Sequence, residues 1–259
     1  MGIKVLFIYP NNPGMAIPPP ALALFAALLK SQGHKIEIFD FSFYSIGHGV
    51  DSDGSRMENL NVVPYDLSSK GIELRNLDWK LDIINQLKRF QPDLIAITST
   101  EDMWDLGMLA LDEIKEFKVK NNIPVVAGGV FCTFAPDLCI KYPNVDMICV
   151  GEGEKALISL CKKIEKGEDY SNVTNLWVKS KNGKIIKNRI SEPVDVNSNP
   201  IPDLSLFEEK RLFRPMAGKI WKMAPVETHR GCPYTCAYCN SPDQQRLYAK
   251  ETGSSFFRK

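Results

Sequence analysis

Three cysteines crowd one short run of this chain. Cys232, Cys236 and Cys239 are spaced C-x3-C-x2-C within Arg230-Gly231-Cys232-Pro233-Tyr234-Thr235-Cys236-Ala237-Tyr238-Cys239-Asn240. Thiols so close in sequence reach a common point only where the backbone loops around it, and Gly231 and Pro233 supply the unusual geometry such a loop needs. Thiolates are soft ligands that select zinc, copper(I) or iron–sulfur clusters. A cubane cluster normally takes four cysteines, so three leave one iron open to an outside ligand, which suits catalysis rather than electron storage alone. Two other readings of the same residues stay open. His229 could complete a zinc site as H-x2-C-x3-C-x2-C, although zinc sites usually join two distant cysteine pairs and this sequence has no second pair. The thiols could also be incidental.

Two glycine motifs are the next candidates. Gly128-Gly129, followed by Val130, and Gly151-Glu152-Gly153 each follow a predicted strand, at the carboxyl edge where open α/β sheets bind ligands. Glycine there lets backbone approach a large flat ligand closely. The plainer reading is that strand-to-helix turns use glycine anyway, and Glu152 and Glu154 are equally at home as charges near a helix N-terminus. Cys132, Cys139, Cys149 and Cys161 lie singly in apolar surroundings and read as small core residues. His34 is expected on the surface, His48 falls in a polar stretch without a motif, and Trp79 and Trp104 suit helix faces or loop anchors.

The elements that must position these residues alternate along the first two thirds of the chain. Strands are predicted at 4–9, 35–39, 94–98, 124–127 and 146–150, with helices at 21–30, 77–90, 106–117 and 156–164, the last stopped by Gly167. The strands are continuously apolar rather than alternating, the mark of a parallel sheet covered on both faces. The expected fold is α/β, a doubly wound Rossmann-like sheet over residues 1–167. Residues 175–178 and 184–186 flank Asn182-Gly183, a strong hairpin signal, and a proline-bearing linker follows, so 168–215 reads as hairpin and linker. A further strand is expected within 221–228, in a third region, 216–259, that holds the cysteines.

Composition removes several classes of function. The chain has 259 residues, and 32 Lys plus Arg against 31 Asp plus Glu leave a formal charge of +1. A nucleic-acid binder should carry a basic excess, so no nucleic-acid partner is expected. The apolar run Val5 to Tyr9 is too short for a signal peptide core or a membrane span, and Leu6 stands where a myristoylation motif wants Ser or Thr. Seven cysteines without a secretion signal argue for reduced thiols in a cytoplasmic protein with no membrane partner.

The cysteine motif, with the aromatic Tyr238 before its last thiol, resembles the signature of the radical S-adenosylmethionine (SAM) family. Thr228-His229-Arg230-Gly231 is similar to the lead-in of the subgroup that also carries an N-terminal cobalamin (B12)-binding domain. Gly33 to Asp40, Pro92 to Thr98, Val126 to Gly129 and Val150 to Glu154 resemble that subgroup's strand-end segments in the same order, so the likeness spans nearly the whole chain and is weakest at 41–76. The resemblance implies that Cys232, Cys236 and Cys239 each hold one iron of a 4Fe-4S cluster, that the open iron chelates S-adenosylmethionine, and that Tyr238 lies near the adenine. It further implies reductive cleavage of SAM to a 5′-deoxyadenosyl radical, most often for methyl transfer to an unactivated carbon of a small-molecule substrate or for a related radical rearrangement or cyclisation, with an electron donor of flavodoxin or ferredoxin type. Cobalamin contacts are implied at the strand ends: Tyr9, Pro10, Asn11 and Asn12; Ser99, Thr100 and Glu101; Gly128, Gly129 and Val130; Gly151, Glu152 and Gly153.

Two departures from the family pattern matter. Carriers that ligate cobalt through protein use a histidine in a D-x-H-x2-G motif after the first strand, whereas Pro10 to Ile17 contains no histidine. A complete β/α barrel takes about 250 residues, and 216–259 covers one strand and the cluster loop. The expectation is therefore the front part of a longer enzyme, inactive alone, with a loosely held C-terminal region in which Phe256 and Phe257 have no partner. A stand-alone corrinoid-binding module and a zinc-stabilised binding protein are the alternatives.

Overall fold

The computed structural model describes residues 2–12, 17–46, 57–180 and 182–258. Pro13 to Ala16 of the loop after the first strand, and His48, lie outside the described residues. A seven-stranded sheet in the order β2-β1-β3-β4-β5-β6-β7 forms the centre. Its parallel part comprises β1 (Lys4–Tyr9), β2 (Lys35–Asp40), β3 (Leu94–Thr98), β4 (Val125–Gly128) and β5 (Met147–Cys149). The order 2-1-3-4-5 places a topological switch point between β1 and β3.

The four inner parallel strands, β1, β3, β4 and β5, bury both of their faces. Val5 and Phe7, Leu94 and Ala96, Val126, and Met147 and Cys149 face one core, together with Leu22 and Leu29 of α1 (Pro20–Ser31) and Leu160 of α7 (Glu154–Lys166). Leu6 and Ile8, Ile95 and Ile97, Ala127 and Ile148 face the other. That second core is closed by α2 (Trp79–Phe90), α3 (Trp104–Glu113), α4 (Lys115–Asn121) and two short helices, α5 (Val130–Phe134) and α6 (Pro136–Cys139). Local chemistry sets the helix ends. Asp78 caps α2 by accepting from the Lys80 amide, and Gly167, at φ 66°, stops α7 with its N–H on Ile164.

Several expectations shift. Of the apolar stripe Leu77, Leu81, Ile84, Leu87 and Phe90 that the helical spacing predicts, Leu87 and Phe90 are buried together with Ile83, whereas Leu77 and Leu81 are 60% and 59% exposed because α2 begins at Trp79. The helix expected at 106–117 is two, divided at Ile114. The hairpin β6 (Leu176–Lys179) and β7 (Ile185–Lys187) joins the main sheet, antiparallel to β5, rather than standing apart. His34 is buried, not exposed: the turn entering β2 tucks against β1 and its Nδ1 accepts from the Ile3 amide at 3.1 Å.

The strand expected within 221–228 lies earlier, as β9 (Lys219–Lys222), paired only with β8 (Phe213–Met216) among the described strands. Pro225 cannot donate to a ladder and interrupts any continuation. The region after the cysteines is also packed rather than loose. Helix α8 (Ser241–Thr252) buries Tyr248, whose ring meets Phe256 at 4.6 Å, so Phe256 does have a partner.

Asn175 ties the hairpin to the end of β5. Fully buried at φ 67°, it donates from Nδ2 to the Val150 carbonyl and accepts the Ser191 amide on Oδ1. Asn175→Ala removes both bonds and puts alanine in a left-handed conformation. A loss of about 2–4 kcal/mol is expected in urea unfolding, from roughly 1–1.5 kcal/mol per bond and about 1 kcal/mol of backbone strain.

Candidate functional site

An apolar crevice of about 260 Å³ opens at the carboxyl edge of the sheet, on the face covered by α1 and α7. Its floor is the ends of the parallel strands, among them Phe7, Ala96, Val126 and Cys149, and Leu22, Phe25 and Leu157 wall it. Ligand pockets typically run from about 300 to 1,000 Å³. The crevice is therefore sized for the inserted apolar part of a larger ligand rather than for all of it.

The structure brings some expected contact residues to this crevice and leaves others away from it. Gly128, Gly129, Val130, Gly151, Glu152 and Gly153 line it; Tyr9 to Asn12 and Ser99 to Glu101 do not. Tyr9 instead lies under the Arg211 guanidinium, and burial pushes its hydroxyl pKa up. Asn11 is buried with its Nδ2 donating to Ser42 Oγ at 2.6 Å.

The glycines also divide by function. A Cβ on Gly129 would come 2.7 Å from the Ser99 carbonyl oxygen, one on Gly153 2.9 Å from the Phe25 ring, and one on Gly151 2.6 Å from the Tyr248 hydroxyl. Those three serve packing within the protein. At Gly128 a Cβ would meet nothing nearer than Cys149 Cβ at 3.7 Å, so it is the glycine that fronts open crevice. It is the one whose missing side chain leaves room for a ligand.

The cysteine loop lies at the same edge. Its first residue, Gly231, sits at φ 86°, where a Cβ would press on Phe256 and Phe257 at 2.9 Å. Cys232 is half-buried, Cys236 and Cys239 are exposed, and Tyr238 is 91% exposed. The three thiols suit a soft metal in type and number. They are not gathered in this structure: among the described residues no three His, Cys, Asp or Glu side chains form a metal-holding group. His229 is turned to its neighbours, with Nδ1 3.1 Å from Thr228 Oγ1 and its ring edge-on to Phe257.

Electrostatics distinguish this loop from the core thiols. Amide donation from Ser241 to Cys239 Sγ at 3.4 Å favours the thiolate and lowers its pKa. Burial pushes Cys149 and Cys161 up to about 12. Maleimide should therefore label Cys239 of the metal-free folded chain at neutral pH and leave Cys149 and Cys161 unreacted until the chain unfolds, with peptide mass spectrometry as the readout. The same shifts set an alkaline limit. Cys149 and Cys161 ionise in the unfolded chain near pH 9 but in the folded chain only near 12, so their contribution to stability falls as pH rises between those values.

Loop and crevice are joined by a charged clasp that sequence reasoning missed. Arg230 donates from Nη1 to Glu152 at 2.6 Å and Glu154 at 2.5 Å, and grips Glu227 with Nε and Nη2 at 3.0 and 2.8 Å. Although burial opposes its charge, these carboxylates raise its pKa. Arg258 also donates to Glu152, and its backbone pairs with that of Arg230 in both directions at 2.9 Å. The α1 residues of the crevice and Tyr248 were missed as well. Arg230, directly before the motif, carried the available signal.

Residues 59–160 match the B12 binding domain family. The chain is 33% identical over 164 residues to an uncharacterized methyltransferase of Pyrococcus horikoshii, covering 62% of this chain and 34% of that protein. Against the anaerobic magnesium-protoporphyrin IX monomethyl ester cyclase of Rubrivivax gelatinosus it is 25% identical over 249 residues, covering 92% of this chain and 38% of that one. The chain thus spans little more than a third of these relatives' length. Its fold is shared with the cobalamin-dependent SAM radical enzyme OxsB, solved with aqua-cobalamin and S-adenosylmethionine, at TM-score 0.63 and 21% identity, covering 92% of this chain and 28% of that one. The radical SAM methyltransferase TsrM of Kitasatospora setae, solved with cobalamin and a 4Fe-4S cluster, aligns at TM-score 0.58 and 21% identity over 93% of this chain and 42% of its own.

Proposed function

We propose that this chain, whose residues 59–160 match the B12 binding domain family, holds a corrinoid at the carboxyl edge of its sheet and a 4Fe-4S cluster on the adjacent cysteine loop. The observation that carries this reading is the apolar crevice fronted by Gly128, with the cysteine loop clasped to the same edge through Arg230 and Glu152. Residues 1–167 with the following hairpin form the corrinoid unit, and 216–259 supply the cluster loop.

In this reading the walls formed by Leu22, Phe25 and Leu157 exclude water from the ligand's nucleotide tail, and Gly128 lets that tail reach the strand ends. Cys232, Cys236 and Cys239 would each hold one iron, and Tyr238 would lie near the adenine of SAM. When bound, these groups supply reductive cleavage of SAM and methyl carriage on cobalt, which makes methyl transfer to a small-molecule substrate the leading activity.

Among the described residues, no histidine lines the crevice. His34 is packed on Ile3, at the amino end of β1 and so opposite to the crevice. Electron paramagnetic resonance of cob(II)alamin bound to the full chain should therefore contain no nitrogen splitting that depends on a histidine. Splitting that vanishes in His34→Ala or His48→Ala would contradict this, and absence of any protein-bound cobalt signal would remove the corrinoid reading.

A further inference from the structure

We propose that Glu152 is a positioning residue that fixes the cysteine loop to the carboxyl edge of the sheet. The proposal deepens, and as a statement about the cluster rests on, the reading of that loop as a cluster site. Glu152 is buried, and its polar atoms are engaged by groups on both sides of the loop. Its carboxylate accepts from Arg230, two residues before Cys232, at 2.6 Å and from Arg258, which is backbone-paired to Arg230. Its second oxygen accepts the Val194 amide at 2.7 Å. Its own amide donates to the Tyr248 hydroxyl at 2.8 Å, and Tyr248 stands on the helix that follows the loop.

The loop is thus held at its two ends by one residue, whereas from Pro233 to Asn240 its residues are exposed. Where the sulfurs sit relative to the sheet is set by those ends. The anchor is itself rigid. Gly151 and Gly153, on either side of Glu152, pack so tightly that a Cβ would meet Tyr248 and the crevice residue Phe25 within 3 Å. Buried charge clusters of this kind are poor sources of net stability but costly to leave half-paired, which suits a role in fixing one geometry. Removing the carboxylate leaves Arg230 with Glu154 and Glu227 and leaves Arg258 without this carboxylate.

The test compares wild type, Glu152→Ala, Glu152→Gln and Tyr248→Phe in the full metal-free chain, by hydrogen exchange and by maleimide labelling of the half-buried Cys232. For Glu152→Ala, exchange at Arg230, Arg258 and α8, and labelling of Cys232, should rise at least roughly tenfold, the scale of a lost hydrogen bond to a charged group. Exchange in β1 and β3 should not change. Glu152→Gln, which keeps an acceptor oxygen, should recover part of the protection. Tyr248→Phe should loosen α8 severalfold, which keeps the proposal testable if Glu152→Ala does not fold. Unchanged exchange and labelling in the variants would overturn the proposal, as would loosening spread equally into β1 and β3. In iron-loaded protein, Glu152→Ala should lose iron to a chelator at least roughly tenfold faster than wild type at equal thermal stability; equal rates would also overturn it. If wild type takes up no iron, the cluster reading fails, while exchange in the metal-free chain still decides whether Glu152 anchors the loop.

Discussion

Gly128→Leu should lower the affinity of the chain for cobalamin at least about a hundredfold, close to 2.7 kcal/mol, while leaving its unfolding midpoint nearly unchanged. Gly128 ends β4 with its backbone paired to β3, and the nearest atom to a Cβ there is 3.7 Å away, an ordinary contact. A Cβ is thus accommodated, and the rest of a leucine side chain should extend into the crevice that Gly128 lines. The contrast is Gly129→Ala. At φ 100°, with a Cβ 2.7 Å from the Ser99 carbonyl, it should cost about 1–3 kcal/mol of stability through backbone strain and steric conflict. Gly128→Ala should be mild in both respects. Equilibrium binding and urea unfolding on the three variants separate blocked binding from damaged folding. Equal affinities in wild type and Gly128→Leu would mean that the crevice is not the site.

The second large effect concerns metal. After anaerobic loading, the chain should hold about four irons and four sulfides, and replacing any one of Cys232, Cys236 or Cys239 with Ala should abolish them. The three thiols stand apart in this structure, so loading must draw the exposed loop around the metal. Cys161→Ala is the control. Its thiol is fully buried in the core against α1, so the variant should lose some stability and keep its iron. One tightly held zinc, released by His229→Ala, would favour the structural metal site instead.

Much of the fold was legible because a parallel sheet buried on both faces leaves continuous apolar runs in the sequence, as at 4–9 and 94–98. Strand-end glycines were legible for the same reason, since they follow those runs. Which glycine fronts the crevice was not. That depends on Thr98 standing opposite Gly128 and on what fills the space behind each glycine. Tertiary context also overrode local pattern. Leu77, Leu81, Ile84, Leu87 and Phe90 fall on one helical period, yet of these only Leu87 and Phe90 are buried, and Ile83 joins them. The hairpin was visible from Asn182-Gly183, but its pairing with β5 was not, because an antiparallel edge on a parallel sheet has no signal in either strand alone. The clasp is the clearest case. Glu152 meets Tyr248 and Arg258 across 96 and 106 residues, and each of these charged or polar groups read alone is an ordinary surface residue.

The central claim, that this chain has a corrinoid site at the carboxyl edge of its sheet, is tested most directly by equilibrium dialysis of the full wild-type chain against hydroxocobalamin. The account predicts saturation at one corrinoid per chain. A folded chain, with its cooperative unfolding transition intact, that retains no corrinoid above the protein-free control would contradict it.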